Sequence, residues 1–180
     1  LLDSIDSKMT LGFKKEDDII YLIGKSTNDI NSSEYLHKIV GVELSPAPYF
    51  ELEEEFQLQQ SISQLIQAKL IQSAHDISEG GLIVTLLEAG FVNELGFEVV
   101  QSDTAIRSDA FWFGESQSRV VVSVSPENKQ AFEAKLAAGQ VTFQLVGKVK
   151  GKEVKINQEN WGMIASWKKT YDEKISSLMK

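Results

Sequence analysis

The sequence predicts an α/β fold of the α+β kind, with helices packed on a mixed, mostly antiparallel sheet. Three features carry that expectation. Short runs rich in β-branched residues, DIIYLIG at 18–24 and RVVVSV at 119–124, alternate with longer stretches of helical period. The longest such stretch runs from Leu52 to Leu70, with Leu58, Ile62, Leu65, Ile66 and Leu70 on one stripe. Late in the chain, 142–149 and 153–156 read as two strands joined by a lysine-glycine turn.

The elements follow in order. The strand at 18–24 ends at Gly24, and Asn31 to Ser33 offer caps for a short helix, EYLHKIVG, closed by Gly41. Pro46 and Pro48 forbid a regular helix in 41–50, which reads as a linker. After the long helix, 71–77 reads as a strand leading into SEGG. A helix follows from Leu82 to Val92, apolar over most of its girth and therefore expected to be buried. A short strand at 97–100 and a short helix at 108–113 precede RVVVSV. Ser125-Pro126 then marks a helix start, and Ala138-Gly139 its end. The last element, 160–179, reads as a helix with Trp161, Ile164, Trp167, Tyr171, Ile175 and Leu178 on one face. This order indicates two or three layers.

Composition narrows the function classes. The chain has 180 residues and a formal net charge of -8, so non-specific nucleic-acid binding is disfavoured. There is no cysteine, which excludes disulfides, thiolate metal sites and cysteine nucleophiles and favours a cytoplasmic setting. With two histidines, a three-histidine metal site is impossible. No apolar run approaches the roughly 20 residues that span a bilayer, and no signal peptide is visible, so no membrane role is expected. The chain opens LLDSID without an initiator methionine, so a processed or excised product is expected.

Two loops carry the chemistry. Ser73–Leu82, SAHDISEGGL, joins a strand to a helix. Ser78 is the expected N-cap, with Glu79, Gly80 and Gly81 in the first turn. Helix-start amides carry partial positive charge, and glycines let an anion approach them. Asp76 then suits a divalent cation such as magnesium, which takes oxygen ligands beside phosphates, and His75 would orient Asp76 or donate to a ligand. The same residues also fit plain capping and tight helix–sheet packing. The second loop, FGESQSR at 113–119, sets Glu115, Ser116 and Gln117 before a buried strand. The trio suits magnesium, ribose or phosphate, and equally a solvated turn. Arg119 reads as closing an ion pair at a strand edge. The acids at 51–55 suit a helix start, and Phe111, Trp112 and Phe113 read as core.

SAHDISEGGL followed by FGESQSRVVVSV resembles the second, C-terminal half of the small form of phosphoribosylformylglycinamidine synthase, in the aminoimidazole ribonucleotide synthetase-like superfamily. The resemblance covers nearly the whole chain. It implies a tail of a preceding A domain over 1–30 and a C-terminal B-type domain over 31–180. It implies a part of an ATP-dependent ligase that converts formylglycinamide ribonucleotide to formylglycinamidine ribonucleotide in purine biosynthesis. ATP and Mg2+ are the implied cofactors, with ADP in an auxiliary structural site as an alternative. The implied partners are the remainder of the synthetase chain, a glutaminase subunit and a small bridging subunit. By the same resemblance Asp76 matches a magnesium ligand, Ser78, Gly80 and Gly81 a nucleotide- or phosphate-contacting loop, and Glu115, Ser116 and Gln117 a substrate-contacting segment. The family's catalytic histidine lies in a part of the enzyme not in this chain, so no catalytic residue is assigned and the isolated chain is expected to be inactive. The rival readings are another ATP-using member of the superfamily and a non-catalytic interaction module.

Overall fold

The computed structural model describes residues 8–179. Residues 1–7, the opening of the A-domain tail expected over 1–30, lie outside the described residues. A seven-stranded sheet forms the middle layer, in the order β2 (Ser73–Asp76), β4 (Val120–Val124), β1 (Ile19–Ile23), β5 (Phe143–Val149), β3 (Phe97–Val99), β6 (Glu153–Ile156), β7 (Glu159–Met163). Strand β1 (Ile19–Ile23) lies at its heart, antiparallel to β4 (Val120–Val124) and to β5 (Phe143–Val149). Its side chains explain why helices cover both faces. Ile20 and Leu22 enter one core while Tyr21 and Ile23 enter the other, and all four are fully buried.

The first core is closed by α2 (Gly81–Phe91), α3 (Ser108–Phe113) and the start of α5 (Ile164–Leu178). Helix α2 buries Leu82, Ile83, Leu86, Leu87 and Phe91, as its all-round apolar sequence requires. The second core is closed by α1 (Leu52–Gln67) through Leu58 and Leu65, and by α4 (Lys129–Ala138) through Phe132 and Leu136. Pro126 opens a short 3-10 turn into α4. Residues 35–40 form a single π-helical stretch ending at Gly41 in the left-handed region.

Two expectations need correction. Strands β5 and β6 (Glu153–Ile156) do not pair. Strand β3 (Phe97–Val99) slots between them, antiparallel to β5 and parallel to β6. The β3 backbone pairs on both edges, a non-local arrangement that reading along the chain misses. The last helix starts at Ile164 rather than at Asn160. Before it, β7 (Glu159–Met163) folds back on β6 across Asn157-Gln158, both at positive φ in a two-residue turn. Strand β1, which lies within the stretch 1–30, takes an interior place in this sheet between β4 and β5.

Candidate functional site

The two sequence loops meet. Strand β2 (Ser73–Asp76) runs antiparallel beside β4, and the Ile77 amide donates to the Arg119 carbonyl at 3.0 Å. The loop after β2 therefore leaves the sheet beside the loop that enters β4. Gly81 seals the junction. It sits at φ +70, and a Cβ there would lie 2.7–2.9 Å from backbone atoms of Phe113 and Gly114. Only glycine admits both that conformation and that approach.

Glu115 then pins the two loops together. One carboxylate oxygen, Oε1, accepts from the Gly80 amide and from the Glu34 amide, each at 2.8 Å. These bonds tie the β2–α2 loop, the α3–β4 loop and the entry to the π-helix. Tyr35 stacks on Phe113 in the same place, with centroids 5.0 Å apart. Arg119 braces the loop from beneath, its Nε donating to the Ser116 carbonyl at 3.2 Å and its Nη2 to the Gly114 carbonyl. Arg119 is 2% exposed, and burial lowers its guanidinium to about 10. No ion pair is formed by Arg119 among the described residues, so the expected strand-edge salt bridge is replaced by carbonyl contacts, and Nη1 has no hydrogen-bond partner there.

The open helix start expected at SEGG is correspondingly changed. Gly80, at φ +86, takes the N-cap position, and Ser78 offers only its carbonyl, to the Gly81 amide at 3.0 Å. The protein's own Glu115 carboxylate stands where an anion was expected, satisfying an end that favours negative charge. Gly81 and Leu82, the first helical residues, are buried.

The remaining expected residues divide between two clefts. Ser116 and Gln117 face a polar cleft of about 240 Å³, lined also by Lys25, Thr27, Gln57 and Gln140. Ser116 is buried and Gln117 exposed. The Thr27 hydroxyl in this cleft is buried without a hydrogen-bond partner among the described residues. Ser118 closes one end by donating to Glu55 at 2.7 Å. Gly24 permits the crossing, at φ +101 with the Ser118 carbonyl 2.0 Å from where a Cβ would stand. Lys25, Thr27, Gln57 and Gln140 carry no motif. Only the fold, which brings the ends of β1 and α4 to the start of α1, collects them.

His75 and Ser78 line a second, wider cleft between α2 and α5, of about 680 Å³. His75 does not orient Asp76 by a hydrogen bond. Its Nδ1 is 3.6 Å from Asp76 Oδ1, while its Nε2 bonds Glu88 at 2.8 Å. The other Glu88 oxygen accepts from the Tyr171 hydroxyl at 2.8 Å, and that bond raises the phenol above its usual value. The array links β2, α2 and α5. Asp76 itself is 79% exposed, and no group of three or more metal-ligating side chains occurs among the described residues. One solvated carboxylate is too few for the oxygen shell magnesium requires, so these residues alone do not fit a magnesium site.

The comparisons with known proteins agree on one family. The model for the AIR synthase related protein, C-terminal domain, matches residues 15–157. The phosphoribosylformylglycinamidine synthase subunit PurL of Alkaliphilus metalliredigens is 36% identical over 156 residues, covering 87% of this chain and 21% of that protein. The corresponding subunit of Lacticaseibacillus casei is 39% identical over 150 residues, 83% of this chain and 19% of its own length. The chain thus spans about a fifth of the curated relatives it matches. Among solved structures, Thermotoga maritima PurL complexed with FGAR superposes with a TM-score of 0.76 at 15% identity, covering 90% of this chain and 29% of that one. Escherichia coli HypE, a hydrogenase maturation protein, gives 0.62 at 17%, covering 87% and 52%. At such identities these two establish the fold.

Proposed function

We propose, from the premise that this chain belongs to the AIR synthase related protein C-terminal domain family, that it forms one side of the substrate cleft of a phosphoribosylformylglycinamidine synthase. The observation that carries this reading is the 36% identity to a PurL subunit sustained over 156 residues. In the proposed reaction the glycinamide carbonyl oxygen of formylglycinamide ribonucleotide, not its formyl oxygen, takes the γ-phosphoryl group of ATP. Ammonia then attacks that carbon, and phosphate departs with the oxygen, leaving formylglycinamidine ribonucleotide, ADP and phosphate. A glutaminase subunit and a small bridging subunit would supply the ammonia, in the cytoplasm.

This chain contributes positioning. The polar cleft suits a ribose-phosphate group. Gln117 and the Ser116 hydroxyl offer hydrogen bonds, and Lys25 offers one positive charge alongside the Glu54 carboxylate that also lines the cleft. Glu115 fixes the loop that presents Ser116 and Gln117, acting on the protein rather than on the ligand. Phosphate binding, expected at Ser78, Gly80 and Gly81, is supported better at Ser116 and Gln117, because the Gly80 amide already has an acceptor. Asp76 stays a candidate magnesium ligand only with further oxygens from elsewhere in a longer chain, and no step is assigned to it. An ADP held structurally is the alternative occupant of the same cleft.

The test is an amidation assay with ATP, ammonia and the formyl ribonucleotide. The polypeptide at its full natural length should turn over. The isolated 180-residue chain should not, and turnover by that chain alone would sink the proposal.

A further inference from the structure

The segment between the π-helix and the second turn of α1 is ordered yet exposes large apolar side chains. Ile39, Leu44, Tyr49, Phe50, Leu52 and Phe56 are between 51% and 89% exposed. Isolated exposed apolar residues are ordinary, but a run of them along one strap is not. The strap is held in shape. Ser45 accepts from the Ser32 amide at 2.8 Å, the Ser32 hydroxyl donates to the Pro46 carbonyl at 2.9 Å, and Asp29 accepts from the Tyr49 amide at 3.0 Å. It is therefore a formed surface and not a loose tail. Its charged residues are all acidic: Glu43, Glu51, Glu53, Glu54 and Glu55, with Lys38 just before it.

We infer that the strap at 39–56 is the docking surface for the part of the same polypeptide that lies outside these 180 residues, and that the docked face closes the polar cleft. Two observations choose this occupant. The relatives matched carry this chain as only 21% of their length, so a companion surface within one polypeptide is available. Exposed apolar side chains interspersed with acids also call for a partner face that combines apolar residues with lysine or arginine. Closure of the cleft follows from shared residues, since Tyr49 and Glu54 belong both to the strap and to the cleft lining. The inference rests on the proposed function for its partner, and its test separates the two.

In the polypeptide at its full natural length, a benzophenone side chain replaces Leu44, which is 89% exposed and so tolerates the change. Irradiation and peptide mapping should give intramolecular cross-links to an apolar stretch with basic neighbours outside residues 1–180. Cross-links to a second copy, cross-links confined to these 180 residues, or none at all would each overturn the inference. Adding Glu43→Lys and Glu51→Lys should lower the cross-link yield by at least about fivefold, because like charges then face each other. An unchanged yield would overturn the charge complementarity. Amidation is assayed on the same preparation. Intact cross-links without turnover would sink the reaction and leave the docking surface standing.

Discussion

The loop at 114–118 has two sides, and they differ in what their polar groups do. On the inner side Glu115 and Arg119 spend their hydrogen bonds on the protein, holding Gly80, Glu34, Gly114 and Ser116. On the outer side Ser116 and Gln117 face a cleft where the Thr27 hydroxyl is buried without a partner among the described residues. Each side keeps one buried polar atom without a partner among the described residues, Arg119 Nη1 and Thr27 Oγ1, so the contrast lies in Glu115, engaged by two backbone amides, against exposed Gln117, and it separates a structural lock from an open surface. It also shows that neighbours in one motif need not share a task.

The sharpest way to break the lock is Gly81→Ala. The left-handed backbone costs a non-glycine residue about 1–2 kcal/mol. The overlap with the Phe113 and Gly114 backbone adds to it, so a loss of about 4 kcal/mol is expected in denaturant unfolding. A loss under about 1 kcal/mol would mean the two loops are not wedged as described. Glu115→Ala should come next. It strips a charged acceptor from two amides, and about 2–3 kcal/mol is expected. Glu115→Gln, which keeps an acceptor oxygen, should recover about half of that in the same measurement.

Asp18, at the other end of β1, sharpens the comparison as a buried acid serving neither side. It is 1% exposed, and burial raises its carboxyl above the usual value. Its folded value lies above the unfolded one. Its favourable share of stability is thus complete below the unfolded value and is lost as pH rises through the folded one. Asp18→Asn should raise the melting temperature by a few degrees at pH 7, for about 1 kcal/mol, and by less at pH 4. An equal shift at both pH values would assign the effect to packing instead of charge.

Much of the architecture was legible because it is written in local period. The IIYLI alternation announces a doubly covered strand, and the Leu58–Leu65 spacing announces a helix with one buried face. What escaped was non-local. Strand β3 enters between β5 and β6 and pairs its backbone with both, and no spacing within 142–156 encodes that. The helical look of Trp161 and Ile164 concealed a strand, β7, that carries Gly162 at φ +95. The motifs located the site but not the division of labour. Glu115 reads as a ligand group in FGESQSR, and only the folded path of 30–34 reveals its second amide partner. Lys25, Thr27 and Gln140 lie in unremarkable turns and join Gln117 only through the sheet order.

The central claim is that Glu115 locks and Gln117 receives. It is tested most directly by measuring thermal stability and formylglycinamide ribonucleotide affinity for Glu115→Ala and Gln117→Ala in the full-length polypeptide. The account predicts that Gln117→Ala keeps the melting temperature within about a degree and weakens binding about tenfold, as the loss of a side-chain contact to a charged ligand would. Glu115→Ala should lower the melting temperature by several degrees. A Gln117 variant that binds normally but melts early, or a Glu115 variant that melts normally but fails to bind, would contradict it.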